Sequence, residues 1–270
     1  MGMFQKNHGK NLKVLQLLAL PALAALAVTG MSQSSQAALV ASDNAANAPY
    51  AANQSFSGQN GGSGFGAWSV VNNSGSNFIS TESWSGTTPW FDIYNTGGNQ
   101  TTATRSLDSA LSSGETISFD LVLNSAQSGA SVGFFLADSA GNGLLTYYQD
   151  GDSTTQGFIV DASGTTSGIG VAYNYQSVDL MAITLTSATT YNLYVNNALA
   201  HSGTISDATG GVAQLNFFDN NGGSNSDVQF TNLSIVSAPA PSPASFGLVL
   251  AGGIGLAVIG LSRRRCNIKV

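Results

Sequence analysis

This chain of 270 residues predicts an all-β fold, an antiparallel β-sandwich of about a dozen strands, and three observations carry that expectation. Apolar and polar residues alternate at period two in successive stretches, the mark of strands with one buried face. Clusters of Gly, Ser, Asn and Asp punctuate those stretches at short intervals. No part of the body between the two ends carries a convincing helical period.

At the N-terminal end Lys6, Lys10 and Lys13 precede an apolar stretch from Val14 to Val28, and the small residues Ser35 and Ala37 offer cleavage before Ala38. That order predicts a secretory signal peptide over residues 1–37. An uncleaved membrane anchor is the alternative, and the body is exported in either case. Residues 38–54, rich in Ala and Asn, read as a flexible N-terminal segment.

The sandwich is expected over residues 55–238. Ile117, Phe119, Leu121 and Leu123 alternate with Ser118, Asp120, Val122 and Asn124, so the first set should face inward. Val132, Phe134 and Leu136 repeat the pattern, as do Tyr191, Leu193 and Val195, and again Ala213, Leu215 and Phe217. Phe230 to Val236 closes the domain with an expected bulge, because Phe230 and the Leu233/Ile235 pair fall on different phases. Turns are expected at 125–129, 141–143, 150–155, 163–168, 196–197 and 220–225.

The C-terminal end has three parts: a proline-spaced motif over 239–245, an apolar segment from Phe246 to Leu261, and a basic tail over 262–270 with Arg263, Arg264 and Arg265. The apolar segment is shorter than the roughly 20 residues a spanning helix needs, and Gly247, Gly252, Gly253 and Gly255 weaken it further. It is expected to be a marginal transmembrane helix, with the arginines on the cytoplasmic side and the body on the other.

Within residues 38–238 Arg105 is the only Lys or Arg and His201 the only His, whereas all 14 Asp and Glu of the chain lie there. The body therefore carries a formal charge of about −13, concealed in a whole-chain value of −6. Nucleic acid is excluded as a partner, since affinity for phosphates comes from clustered cations. The single cysteine, Cys266, follows the arginines, so the body has no disulfide and depends on its apolar core.

No constellation in the body points to catalysis. Its two glutamates, Glu82 and Glu115, are far apart in sequence and show no paired-carboxylate spacing. His201 stands alone, without the nucleophile of a serine triad or the further ligands of a zinc site. A non-enzymatic protein is expected.

Hard-cation binding suits the composition better. Asp219, Asn221 and Asp227 bracket a Gly-rich loop, and Asp150 with Asp152 forms an Asp-Gly-Asp turn. Oxygen donors of this kind make Ca²⁺ the one cofactor suggested, although the same residue types are default turn formers. Trp68, Trp84, Trp90, Tyr94, Tyr147, Tyr148, Tyr173 and Tyr175 are the rings that could stack on a sugar. Trp84 and Trp90 rank first because they lie in the least regular stretch, Thr81 to Phe91, while sandwich cores consume most aromatics. Arg105 is expected to pair with Asp108 or Asp120.

Two resemblances follow from these residues. Pro241, Ser242, Pro243, Ala244 and Ser245, then the apolar segment and the arginine triplet, resemble the PEP-CTERM sorting signal of Gram-negative, exopolysaccharide-producing bacteria. Ser242 stands where that family has glutamate. The resemblance implies an exosortase-like processing enzyme as partner, a transient membrane anchor, and a destination at the cell surface or in the exopolysaccharide matrix. The Tyr191–Asn197 hairpin strand with Leu199 and Gly203, the strand from Leu215 to Phe218, and the final Phe230 to Ile235 strand resemble the concanavalin A-like jelly roll of lectins and laminin G-like modules. The expected function is structural or adhesive with weak glycan or calcium binding. A lectin-like carbohydrate-binding module is the alternative, and a glycan-degrading enzyme ranks last.

Overall fold

The computed structural model describes residues 36–72, 75–83, 89–96, 99–124, 128–151, 157–169, 177–205, 210–221 and 227–239. The chain divides into two compact units, Ala37–Ala238 and, separately, Met1–Gln36 with Pro239–Val270. The expected signal peptide, sorting motif, apolar segment and basic tail lie outside the described residues, except for Gln36, Ala37 and Pro239. Among the described residues no helix is long and apolar enough to cross a membrane.

Fifteen strands are found among those residues: β1 (Leu39–Asp43), β2 (Phe65–Asn72), β3 (Gly75–Ser80), β4 (Trp90–Asn95), β5 (Gln100–Leu111), β6 (Thr116–Asn124), β7 (Ser131–Ala137), β8 (Gly143–Asp150), β9 (Gly157–Asp161), β10 (Gly164–Ser167), β11 (Asp179–Leu185), β12 (Thr190–Val195), β13 (Ala198–Thr204), β14 (Val212–Asn220) and β15 (Asp227–Val236). They form two antiparallel sheets. The first runs β13-β12-β11-β6-β15-β4-β3, with β1 also paired to β15; the second runs β10-β9-β8-β7-β14-β5-β2. This is the antiparallel sandwich expected from the alternation, of the jelly-roll kind that the resemblance implied.

The alternation decides which side chains fill the space between the sheets. Ile117, Phe119, Leu121 and Leu123 of β6 are all fully buried, as are Val132, Phe134 and Leu136 of β7. At the centre Phe217 of β14 stacks on Phe230 of β15, with ring centroids 3.7 Å apart and planes 2° from parallel. Phe119 meets Phe217 and Phe134 edge-on at 5.0 and 4.9 Å. Such ring pairs add about 1 kcal/mol each beyond the area they bury.

Among the register shifts of the two sheets, those in β15 and β14 decide the inward sets expected from the sequence. In β15 the register shifts between Thr231 and Ser234, and Asn232 takes a φ of 53°. Phe230, Leu233 and Ile235 all turn inward as a result, as their phases predict. In β14 the shift lies between Val212 and Gln214. It places Val212 in the core and leaves Ala213 half-buried, which corrects the expected inward set.

Residues 38–54 are not the flexible start expected; the sandwich begins at Leu39. β1 pairs with the second half of β15, and Asp43 at its end is buried. The sequence LVASD is too short to show an alternating pattern, so the strand escapes detection. Asp43 is the counter-ion of Arg105, whose Nη2 lies 2.7 Å from Asp43 Oδ2 with both side chains fully covered. This replaces the expected pairing with Asp108 or Asp120. Arg105 points inward from β5, whereas Asp108, three residues on, is exposed, and Asp120 lies on the outward face of β6 and accepts from Asn232 Nδ2.

The ion pair is embedded in neutral donors, acceptors and rings. Tyr50 donates to Asp43 Oδ2 at 2.8 Å, Arg105 Nη2 donates to Asn60 Oδ1 at 2.7 Å, and the guanidinium sits 5.0 Å from the Trp68 ring centroid. Burial pushes the Asp43 carboxyl up and the Arg105 guanidinium down, each against the pull of the other charge. Opposite charges at contact distance, with further hydrogen bonds, keep such a pair ionised despite that cost.

Candidate functional site

The residues singled out from the sequence do not converge on one site. Trp90, expected as a sugar platform, is fully buried, so both its faces are occupied by protein; Trp84 lies outside the described residues. Asp219 is also fully buried, and its Oδ2 accepts the Asn95 backbone N–H at 3.0 Å. Asn221 is exposed with a φ of 58°, and Asp227 is half-buried at the start of β15. Among the described residues no three of His, Cys, Asp and Glu stand close enough to hold a metal ion. Asp150 is half-buried at the end of β8, and Asp152, Tyr173 and Tyr175 lie outside the described residues.

The outward face of the second sheet carries a different set of rings. Phe134–Phe135, Tyr147–Tyr148 and Phe217–Phe218 are aromatic doublets on the neighbouring strands β7, β8 and β14. Successive side chains of a strand point to opposite faces. One ring of each doublet, Phe134, Tyr147 and Phe217, therefore enters the core, and the other, Phe135, Tyr148 and Phe218, goes outward. Phe158 of β9 joins them opposite Tyr148, its ring stacked at 5.1 Å and 15°. Phe135 and Phe218 lie 6.1 Å apart.

Register arranges these rings around a gap. One row across the sheet reads Val71, Thr102, Phe218, Gly133, Tyr148, Phe158 and Ser167. Gly133 supplies no side chain to it, and a β-carbon there would collide with the backbone of Tyr147 and Tyr148. Two strand spacings separate Phe218 from Tyr148, about 10 Å. The strip of the outward face between Phe218 and Tyr148, called the trough below, has an aromatic residue on either side and the buried Gly133, closed over by the β8 backbone, as its floor. Phe135, Tyr148 and Phe158 are partly exposed, while Phe218 is 7% exposed.

Hydrogen-bonding groups border the trough. The next row holds Ser69, Thr104, Asn216, Phe135, Thr146, Val160 and Thr165. Thr104 donates to Asn216 Oδ1 at 2.6 Å. Asp150 and Asn220 border the other side through Ser131. The rings weighed from the sequence were Trp and Tyr alone, so Phe135, Phe158 and Phe218 were missed. The doublets were the available signal, because two consecutive aromatics in one strand point to opposite faces of the sheet.

A second arrangement lies on the outward face of the first sheet. Gln229 Nε2 donates to Glu82 Oε2 at 2.9 Å and to Asp92 Oδ2 at 2.8 Å. One nitrogen shared by two carboxyls holds those oxygens within about 6 Å, close to the spacing of paired catalytic carboxyls. The sequence separates these residues too widely to suggest the pairing. Asp92 is 2% exposed, and its Oδ1 has no hydrogen-bond partner among the described residues. Desolvation pushes its carboxyl up to about 8, helped by Asp227, Glu82 and Asp219 and opposed by the Gln229 hydrogen bond. Asp92 thus keeps its proton at neutral pH. Gln229 and Thr231 beside it are fully buried, so no polymeric substrate reaches this carboxyl in the conformation described.

The class defined by this fold is the antiparallel jelly-roll sandwich with an aromatic outer face. No family model matches the chain, and no curated relative matches its sequence. A sialidase is similar in structure, with a TM-score of 0.51 at 12% identity over 63% of this chain and 17% of the sialidase. A galectin from Caenorhabditis elegans matches with a TM-score of 0.38 at 12% identity, over 53% of this chain and 94% of the galectin. The catalytic domain of an endo-1,3-beta-glucanase (laminarinase) from Thermotoga petrophila matches with a TM-score of 0.40 at 11% identity, over 52% and 69% respectively. At these identities the likeness is one of fold alone.

Proposed function

We propose that the sandwich is a lectin-like carbohydrate-binding module whose ligand lies in the trough over Gly133. One observation carries this reading: Phe135, Tyr148 and Phe158 present partly exposed rings from three adjacent strands on one face, with the covered Phe218 ring beside them and hydroxyl side chains around them. Aromatic faces pack against the C–H face of a pyranose, and Thr, Asn and Asp groups at the rim exchange hydrogen bonds with its hydroxyls. The sialidase and galectin likenesses are compatible with this choice of ligand, but the aromatic face supplies the argument.

The test is retention on a panel of immobilised polysaccharides. Tyr148→Ala and Phe158→Ala remove partly exposed rings, so the fold should survive, as a thermal melt would verify. Each is expected to weaken binding about tenfold. Unchanged retention in both variants would move the site elsewhere.

The sequence adds a route to this function. A leader over 1–37 and a tail with Pro241 to Ser245 and Arg263 to Arg265 support export, transient membrane anchorage and processing by an exosortase-like enzyme. The module would then act at the cell surface or in the exopolysaccharide matrix. A structural or adhesive role is the second reading, favoured by hydrogen-bonded polar pairs on the outward face of the first sheet. There Thr116 bonds Thr184 at 2.7 Å, Ser118 bonds Ser234 at 2.8 Å, and Ser202 donates to Asn192 at 2.7 Å.

A further inference from the structure

We infer that the trough selects uncharged glycans and rejects polyanionic ones, an inference that rests on the carbohydrate-binding reading above. Recognition of a uronate, sulfate or sialate needs a positive group or a dense set of donors to replace the water its charge gives up. Within residues 38–238 the chain has one Lys or Arg, Arg105. That residue belongs to β5 of the sheet that carries the trough, yet it is turned to the opposite face, is fully buried and is already paired with Asp43. No guanidinium or ammonium side chain of the body is therefore available to a ligand on the outward face.

The remaining charges act against an anion. The body carries a formal charge of about −13, so its field repels a polyanion at every approach and slows encounter at low salt. At the trough itself Asp150 stands on the bordering row with Ser131 and Asn220. His201, the one other group of the body able to become cationic, belongs to β13 at the edge of the first sheet. Its Nε2 faces Asp161 Oδ2 at 3.6 Å. What the trough does offer is neutral: the partly exposed rings of Phe135, Tyr148 and Phe158, and the half-buried Thr104 and Thr146 hydroxyls. These groups suit the C–H faces and hydroxyls of an uncharged sugar. The sialidase likeness in fold thus does not extend to the charge that a sialate would need.

The experiment compares neutral polysaccharides (dextran, laminarin, galactan, mannan) with anionic ones (polygalacturonate, polysialic acid, heparin) by affinity electrophoresis of the purified body. Runs are made in chelator and again with millimolar Ca²⁺. At least one neutral polymer should be retained, with little change between about 20 and about 500 mM NaCl and with loss in Tyr148→Ala. The anionic polymers should run at least about tenfold weaker. Stronger retention of any anionic polymer in Tyr148-dependent fashion, with or without Ca²⁺, overturns the selectivity while leaving carbohydrate binding in place. Absence of retention on every polymer overturns the carbohydrate reading and the selectivity with it.

Discussion

Arg105 and Asp43 meet at 2.7 Å with neither side chain exposed, and this contact ties the first strand of the sandwich to the middle of β5. Removing one partner strands a buried charge. Asp43→Ala is expected to destabilise the fold by about 3 to 5 kcal/mol, because Arg105 would remain desolvated and uncompensated. Urea unfolding measures it. Replacing both residues by apolar ones of similar volume should cost much less, and a double variant as unstable as Asp43→Ala would show that packing rather than charge is responsible.

Asp92 gives stability a defined pH dependence. Its carboxyl is raised from 3.8 to about 8 in the folded protein, so the folded state holds a proton that the unfolded chain releases. The contribution is full below the unfolded value and is lost as pH rises through the folded one, at up to about 1.4 kcal/mol per unit. Wild type should resist urea better at about pH 5 than at about pH 8. Asp92→Asn, which mimics the protonated acid, should flatten that difference. An identical pH slope in wild type and variant would exclude a retained proton on Asp92.

Gly133 and Gly143 separate crowding from the general effect of losing a glycine. A β-carbon at position 133 meets the β8 backbone, whereas at 143 it meets nothing within 4 Å. Gly133→Ala is expected to cost about 1 to 3 kcal/mol and to weaken glycan retention, and Gly143→Ala to be near neutral. Equal melting temperatures for the two variants would refute the close approach of β7 and β8.

Under the proposed sorting role of the tail, neutral residues at Arg263, Arg264 and Arg265 should alter membrane processing in the native host, because a positive flank would hold its cytoplasmic end. Mass spectrometry of the mature C-terminus reads the effect. A terminus identical to that of wild type would remove the basis for a sorting function of the tail.

Most of the sandwich was legible as alternation. Period two in β6, β7 and β12 told which residues enter the core, and the phase change after Phe230 told where β15 bulges. β1 was not legible, since its place depends on Asp43 finding Arg105 across 62 positions of sequence. The site was less legible still. Their place in the least regular stretch favoured Trp84 and Trp90, but exposure depends on what covers a face, and Trp90 is fully covered.

What the sequence by itself determined is local: the strand faces, the split of each aromatic doublet into one core ring and one surface ring, and an acidic body with a single cation. The tertiary structure alone decided which strands are neighbours, and with that the trough beside Gly133, the partner of Arg105 and the sharing of Gln229 by Glu82 and Asp92. The physical reason is that alternation fixes the side to which a residue points but carries no information on strand order. Strand order follows from how the apolar faces of all the strands pack together in the two sheets, a non-local choice made only on folding.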